Sequence, residues 1–280
     1  EKILEKELKK FQRGVFFFYF DTLDIVQHMF WRYIDSQHPL YEKDSLYRNT
    51  IFKYYERIDH IIGEVLGNIG DDTILIILSD HGFNSFRKSV HLNRWLLEKG
   101  YLYLKEGAVE GKEFFEDVDW SKTKAYALGF GGIYLNRIGR EKYGIVANSE
   151  AQKLKKEIQE KLKLWQDSVT GENIIKEVYL AEDIFTGPYI KDAPDLFVGF
   201  NFGYRASWQT ALGGVPKSLV EDNKKKWSGD HLIDPSFVPG VIFINRKTEL
   251  KGPHIIDIVP AILGLFNISG TEARQREQIF

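Results

Sequence analysis

Two short apolar runs, Val15–Phe20 (VFFFYF) and Thr73–Leu78 (TILIIL), constrain the fold of this chain most tightly. Each has the length of a strand and the unbroken apolar character of one covered on both faces. Between them, Asn49 to Leu66 places Ile51, Tyr54, Tyr55, Ile58, Ile61, Ile62 and Val65 on one helical face. A strand, a helix and a second strand in succession predict a parallel α/β sheet. Functional groups in such sheets collect beyond the carboxyl ends of the strands. Asp24 and Asp80 each follow shortly after one of the two runs, so this topology would carry both to one edge.

The remainder of the chain supplies further elements. Residues 2–12 read as a helix ended by Gly14, and Asn93–Lys99 as another. A short strand is predicted in YLYLKEG. The segment AYALGFGGIYLN alternates and holds Gly129, Gly131 and Gly132, which predicts a hairpin or a bulged strand. Ser149–Leu164 reads as an amphipathic helix, and residues 174–180 and 195–200 as strands. GYRASWQTALGG reads as an irregular glycine-rich stretch. Val241–Ile244 is a last buried strand, and Asp257–Leu265 a helix with Asp257 as its cap. The expected fold is therefore α/β, a mostly parallel sheet flanked by helices. One domain would span residues 1–280, with a smaller β-containing insertion over 100–228.

Composition narrows the chemistry. The chain has no cysteine, which excludes disulfides and thiolate metal sites and leaves Asp, Glu and His as metal ligands. A net charge of −2 offers no electrostatic case for nucleic acid or an anionic membrane as partner. No apolar run is long enough to span a bilayer. The chain opens at Glu1, inside an amphipathic pattern, and its single methionine is Met29. It is accordingly expected to be a piece of a longer protein, with the cytoplasm as the expected location. Oligomeric state is left open.

Three of the seven histidines arrive with an aspartate nearby. Asp24 and His28 are four apart and would share one helical face, where both can reach one cation. Asp80 and His81 are adjacent, directly after a buried strand and before Gly82, a placement poorly explained as core. His231 stands in the Gly/Asp turn SGDHLIDP. Singly, each has an ordinary explanation: a surface pair, a strand-end turn with a capping aspartate, an exposed loop histidine. Together they match a two-cation hydrolase site whose ligands come from several strand ends. Asp21 competes with Asp24 for the first position. Arg87, Lys88 and Arg205 are candidate phosphate contacts. His91 is a candidate to support the second cluster. His38, His60 and His254 read as loop or surface residues.

Read in order, TLDIVQHMFW, SDHGF, HLNRWLLEKGYL, APDLFVGF, GYRASW, GDH and DIVPAILGLF resemble segments of the alkaline phosphatase superfamily, specifically its type I phosphodiesterase/nucleotide pyrophosphatase branch. The resemblance implies two divalent cations, zinc first and manganese as the alternative. Asp24, His28 and His231 would hold one ion, and Asp80 and His81 would help hold the other. It implies hydrolysis of a small phosphate-ester substrate, a phosphodiester or nucleotide pyrophosphate, by a Thr or Ser nucleophile placed between cations about 3.5–4 Å apart. Phosphomonoesterases, sulfatases and phosphoglycerate mutase relatives share these ligands, and a non-catalytic metal- or ligand-binding domain is the alternative from another class. In the family the nucleophile and one further Asp lie upstream of the Asp-x-x-x-His motif. The segment EKILEKELKKFQRG matches nothing of that kind, so the nucleophile is expected upstream of residue 1 and the isolated chain is expected to turn over poorly or not at all. Thr22, Ser79, Ser207 and Ser228 are nearby hydroxyls outside the family's nucleophile context.

Overall fold

The computed structural model describes residues 1–247 and 252–268. Its first half runs α1 (Lys2–Leu8), α2 (Thr22–Phe30), α3 (Thr50–Asn68), β1 (Ile76–Leu78), β2 (Asn84–Val90), α4 (Leu92–Glu98), β3 (Ala125–Leu128) and β4 (Gly132–Leu135). Its second half runs α5 (Asn148–Lys163), β5 (Ile175–Leu180), α6 (Ala181–Ile184), β6 (Leu196–Phe200), β7 (Gly203–Ala206), α7 (Trp208–Ala211), β8 (Val220–Asp222), β9 (Gly229–Asp230), β10 (Ile242–Ile244) and α8 (Ile258–Leu265). Two compact units emerge: residues 1–57 with 83–238, and residues 58–82 with 239–280.

The first unit holds two sheets. One has the order β3-β4-β6-β5 and is antiparallel throughout. Its first hairpin is the one expected from AYALGFGGIYLN: Leu128 pairs Gly132 across a loop in which Gly129 and Gly131 take positive φ, +74° and +148°. At Gly131 an added Cβ would also lie 3.0 Å from the Val198 carbonyl, so glycine is required twice over. Helix α5 covers this sheet with Ala151, Ile158 and Leu162, spaced along one buried stripe. The second sheet has the order β7-β2-β8, with β9 pairing the start of β2. Both sheets contribute to one continuous core that includes Trp95, Leu102, Ile133, Leu162, Phe200 and Tyr204.

The second unit is built on the pair β1–β10, antiparallel, with Ile76 opposite Ile244 and Leu78 opposite Ile242. Asp257 does not cap α8 with its own side chain; its carboxylate accepts from the His254 amide and closes a short turn before the helix. Among the described residues no helix is long and apolar enough to cross a membrane.

The expected mostly parallel sheet is corrected. Among the described residues the one ladder of named strands that runs parallel is β2–β7; the rest are antiparallel. Val15–Phe20, expected as a buried strand, forms none. It alternates instead: Val15, Phe17 and Tyr19 face solvent, Phe17 being 81% exposed. Phe16, Phe18 and Phe20 turn inward and pack on one another at centroid distances of 6.4 and 5.0 Å. Of the second run only Ile76–Leu78 is strand, and it pairs with β10 rather than with the first run, so the strand–helix–strand crossover does not close into a parallel pair. β7 corrects the reading of GYRASWQTALGG as irregular. Its glycine takes φ +81° and lets the chain enter the ladder, and all four of its residues are buried, Arg205 with the Asp230 carboxylate as its charge partner.

His38, expected in a loop before Pro39, is buried. Its Nε2 donates to the Phe86 carbonyl at 3.0 Å and its Nδ1 accepts from the Leu40 amide at 3.0 Å. Protonating Nδ1 would set two donors face to face. Burial accordingly holds the His38 pKa below its ordinary value, against the opposing pull of the Phe86 carbonyl, and burial does the same at His91. A depressed folded-state pKa contributes stability that is complete above the unfolded value, near 6.5, and is lost as pH falls through the folded one. Urea titrations of the metal-free protein at pH 7, 6 and 5 should therefore show a falling unfolding free energy, and replacing His38 with Asn should reduce the slope. A pH-independent free energy in that window would contradict the neutral assignment.

Candidate metal centre

Helix α2 is amphipathic, with Val26, Gln27 and His28 buried. Asp24 and His28 lie one turn apart on it, as the spacing predicts. The chain returns to this helix some 200 residues later: the Ser228 amide donates to the His28 carbonyl at 2.6 Å, and β9 pairs with Asn84 and Ser85 of β2. His231 follows directly. The Asp24 Oδ2–His28 Nε2 separation is 3.4 Å and the Asp24 Oδ1–His231 Nε2 separation 3.9 Å. One donor atom from each of the three residues lies within 4.8 Å of the others. Tetrahedral zinc, with bonds of about 2.0–2.1 Å, holds its ligand atoms about 3.3 Å apart. The three donors thus stand near the spacing such an ion requires.

The protonation state agrees. His28 Nδ1 lies 2.7 Å from the Gly229 carbonyl. A carbonyl only accepts, so Nδ1 carries the proton and Nε2 presents its lone pair on the side of Asp24. Burial depresses the His28 pKa, against the Gly229 carbonyl and the charges of Asp230 and Asp24, which favours the neutral, ligating form. Rings pack on the two imidazoles. Trp227 stacks on His28 at 3.7 Å, and Phe83 meets the His28 and His231 rings at 4.6 and 5.5 Å. The residues present fit a divalent cation.

Gly229 makes this approach possible. A Cβ there would stand 2.6 Å from the Gln27 carbonyl and 2.9 Å from Trp31 Cβ. Gly229→Ala should cost about 1–3 kcal/mol, as overpacking does, and should shift the carbonyl that orients His28. Urea denaturation and a chelator competition on the same preparation would check both effects.

Asp80 and His81 belong to the second unit, just past β1. Asp80 is exposed and His81 half-buried. His81 Nδ1 donates to the Gly82 carbonyl at 3.0 Å, the device also used by His28, and its Nε2 is 3.7 Å from Asp80 Oδ1. Asp21 precedes α2 and accepts at 3.4 Å from Thr22 Oγ1. Arg87 forks onto Asp35, at 2.6 and 2.8 Å. Lys88 lies 3.2 Å from Asp167 and 3.6 Å from Asp222, and Arg205 pairs with Asp230 at 2.8 Å. A phosphate would compete with these carboxylates. His91 is buried at the start of α4, 3.7 Å from Glu221. The four hydroxyls are engaged locally: Thr22 with Asp21, Ser79 with the Val241 amide, Ser207 with the Thr210 amide, and Ser228 with the Arg32 amide. Sequence reasoning passed over Phe83 and Trp227, and it read Gly229 and Asp230 only as the turn flanking His231. The last three sit in WSGDH, beside a histidine it had singled out.

Residues 2–229 match the family described as type I phosphodiesterase / nucleotide pyrophosphatase. The chain belongs to that family. Its place in the type I phosphodiesterase/nucleotide pyrophosphatase group sets it within the alkaline phosphatase superfamily, as the motifs implied. Asp24, His28, Asp80 and His81 fall inside the matched residues, and His231 lies just beyond them. The type I phosphodiesterases are in general dependent on divalent metals, which accords with the Asp/His group found here. No curated protein matches the chain.

Proposed function

We propose that this chain is the cation-holding part of a metal-dependent hydrolase of phosphodiesters or nucleotide pyrophosphates. Asp24, His28 and His231 would hold one divalent ion, zinc first and manganese as the alternative, and Asp80 and His81 would contribute to a second. The carrying observation is the convergence of one carboxylate and two imidazoles, from sequence positions some 200 residues apart, to within 4.8 Å inside a family of phosphoester hydrolases. A bound cation would act as a Lewis acid on a phosphoryl oxygen and favour the ionised form of an attacking group. The protein's own part is geometric. Asp24 lies beside both imidazoles and would offset part of the charge of the ion. His28 keeps its proton on Nδ1, and the rings of Trp227 and Phe83 shield the His28 imidazole from water. The local bonding of Thr22, Ser79, Ser207 and Ser228 supports a second reading, a domain that binds the cation without turnover.

The test is metal content by plasma mass spectrometry after dialysis against trace zinc or manganese. Retention of at least one equivalent, lost in the His28→Ala/His231→Ala double variant, supports the reading; no retained ion overturns it. Rates on a bis-aryl phosphate, a mono-aryl phosphate and an aryl sulfate then separate the phosphodiesterase reading from its superfamily alternatives. Absence of turnover on all three, with metal bound, favours the binding domain.

A further inference from the structure

We infer that Asp230 is the positioning residue of the cation site, setting the aim of His28 and His231 together through Trp227 and Arg205. The inference rests on the metal-site reading above and goes beyond it to residues that touch no cation. Asp230 is 1% exposed, as is its partner Arg205. Each of its oxygens leads to a different imidazole. Oδ1 accepts from the His231 amide at 2.8 Å and the Leu232 amide at 3.0 Å, which pins the turn carrying His231. Oδ2 accepts from Trp227 Nε1 at 2.9 Å, and the Trp227 ring lies on the His28 imidazole at 3.7 Å with an interplanar angle of 25°.

A carboxylate this deeply buried needs a cation. Arg205 Nε supplies it at 2.8 Å. The guanidinium is in turn boxed by Phe86, Phe130 and Trp208 at 4.8, 4.4 and 4.4 Å to the ring centroids. β7 brings Arg205 beside β2, and β9 brings Asp230 to the start of β2, so the two charges meet through one central strand. A pair serving stability alone has no need to bond the backbone of one ligand and the ring stacked on the other. Loss of a hydrogen bond made directly to a ligating imidazole lowers metal affinity by about 10–100-fold; Asp230 acts one contact further out, on the backbone of His231 and the ring over His28, so the lower end of that range is expected.

The experiment uses the full 280-residue chain with zinc or cobalt as probe. Trp227→Phe keeps a ring over His28 and removes only the Nε1–H donated to Asp230; Asp230→Asn alters the carboxylate itself. Affinities come from chelator competition, ligand geometry from the visible spectrum of the cobalt form, and fold from the thermal midpoint of the metal-free protein. The expected result is a loss of about tenfold or more in zinc affinity and a changed cobalt spectrum in Trp227→Phe, with the metal-free midpoint unmoved. Unchanged affinity and spectrum in Trp227→Phe, with the wild type binding normally, would overturn the inference and leave the metal-site reading standing. A wild type that binds neither metal would sink both. If Asp230→Asn does not fold, Trp227→Phe decides alone.

Discussion

Replacing His28 with alanine is expected to lower zinc affinity by more than about 100-fold, because loss of an outer hydrogen bond alone costs 10–100-fold and this change removes a ligand. His28 contributes a donor atom 3.4 Å from Asp24 Oδ2, with its other nitrogen held by the Gly229 carbonyl at 2.7 Å. Neither neighbour can replace it: His231 belongs to a turn pinned by Asp230, and Gln27 next to it already accepts from the Tyr55 hydroxyl at 3.1 Å. Chelator competition measures the loss. Removing the buried imidazole opens space beneath Trp227, so the metal-free midpoint should also fall, by less than in a core Leu→Ala change because Phe83 can close in. Retained affinity would mean that the cation sits elsewhere.

Arg205→Met is expected to have the largest effect on stability, about 3–5 kcal/mol, since it leaves Asp230 as a buried charge without its cation. Burial already pulls the Arg205 pKa below its ordinary value, and only the charge of Asp230 opposes that pull, a sign of how little water reaches the pair. Methionine can fill part of the space among Phe86, Phe130 and Trp208, so the loss is electrostatic more than steric. Urea denaturation should show a much lower midpoint, and the double variant Arg205→Met/Asp230→Asn should recover part of it by removing the stranded charge. A single variant within about 1 kcal/mol of wild type would show that solvent or a neighbour takes over from Arg205.

The difference between the legible and illegible parts of this chain is physical. The β3–β4 hairpin could be read because alternation and glycine placement agree with the local turn. Helices α3 and α5 could be read because their apolar residues repeat at helical spacing. Asp24 and His28 were legible for the same reason, and His231 from its flanking turn. Strand β2 was not: NSFRKSV carries no apolar alternation, and its charged side chains are buried or half-buried by carboxylates distant in sequence, Asp35 for Arg87 and Asp167 for Lys88. β7 was obscured in the same way by Arg205, whose partner Asp230 lies 25 positions on. Conversely, Val15–Phe20 has the composition of a strand but makes no ladder, because composition supplies apolar surface and not a neighbour to bond. The part of the site that sequence reasoning missed, the Trp227–Asp230–Arg205 linkage, depends on long-range pairing that no local pattern encodes.

The shape of Val15–Phe20 has its own consequence for handling the protein. Six consecutive residues without charge, proline or glycine, with Val15, Phe17 and Tyr19 directed outward, satisfy the composition of a segment that stacks in register with copies of itself. Natural sheets blunt such edges with lysine or a bulge; here the nearest charges are Arg13 and Asp21, at the two flanks. Charges at the flanks of such a segment are the usual brake on self-association, so replacing Arg13 and Asp21 with neutral residues is expected to raise aggregation, read by light scattering, and unchanged scattering would contradict it.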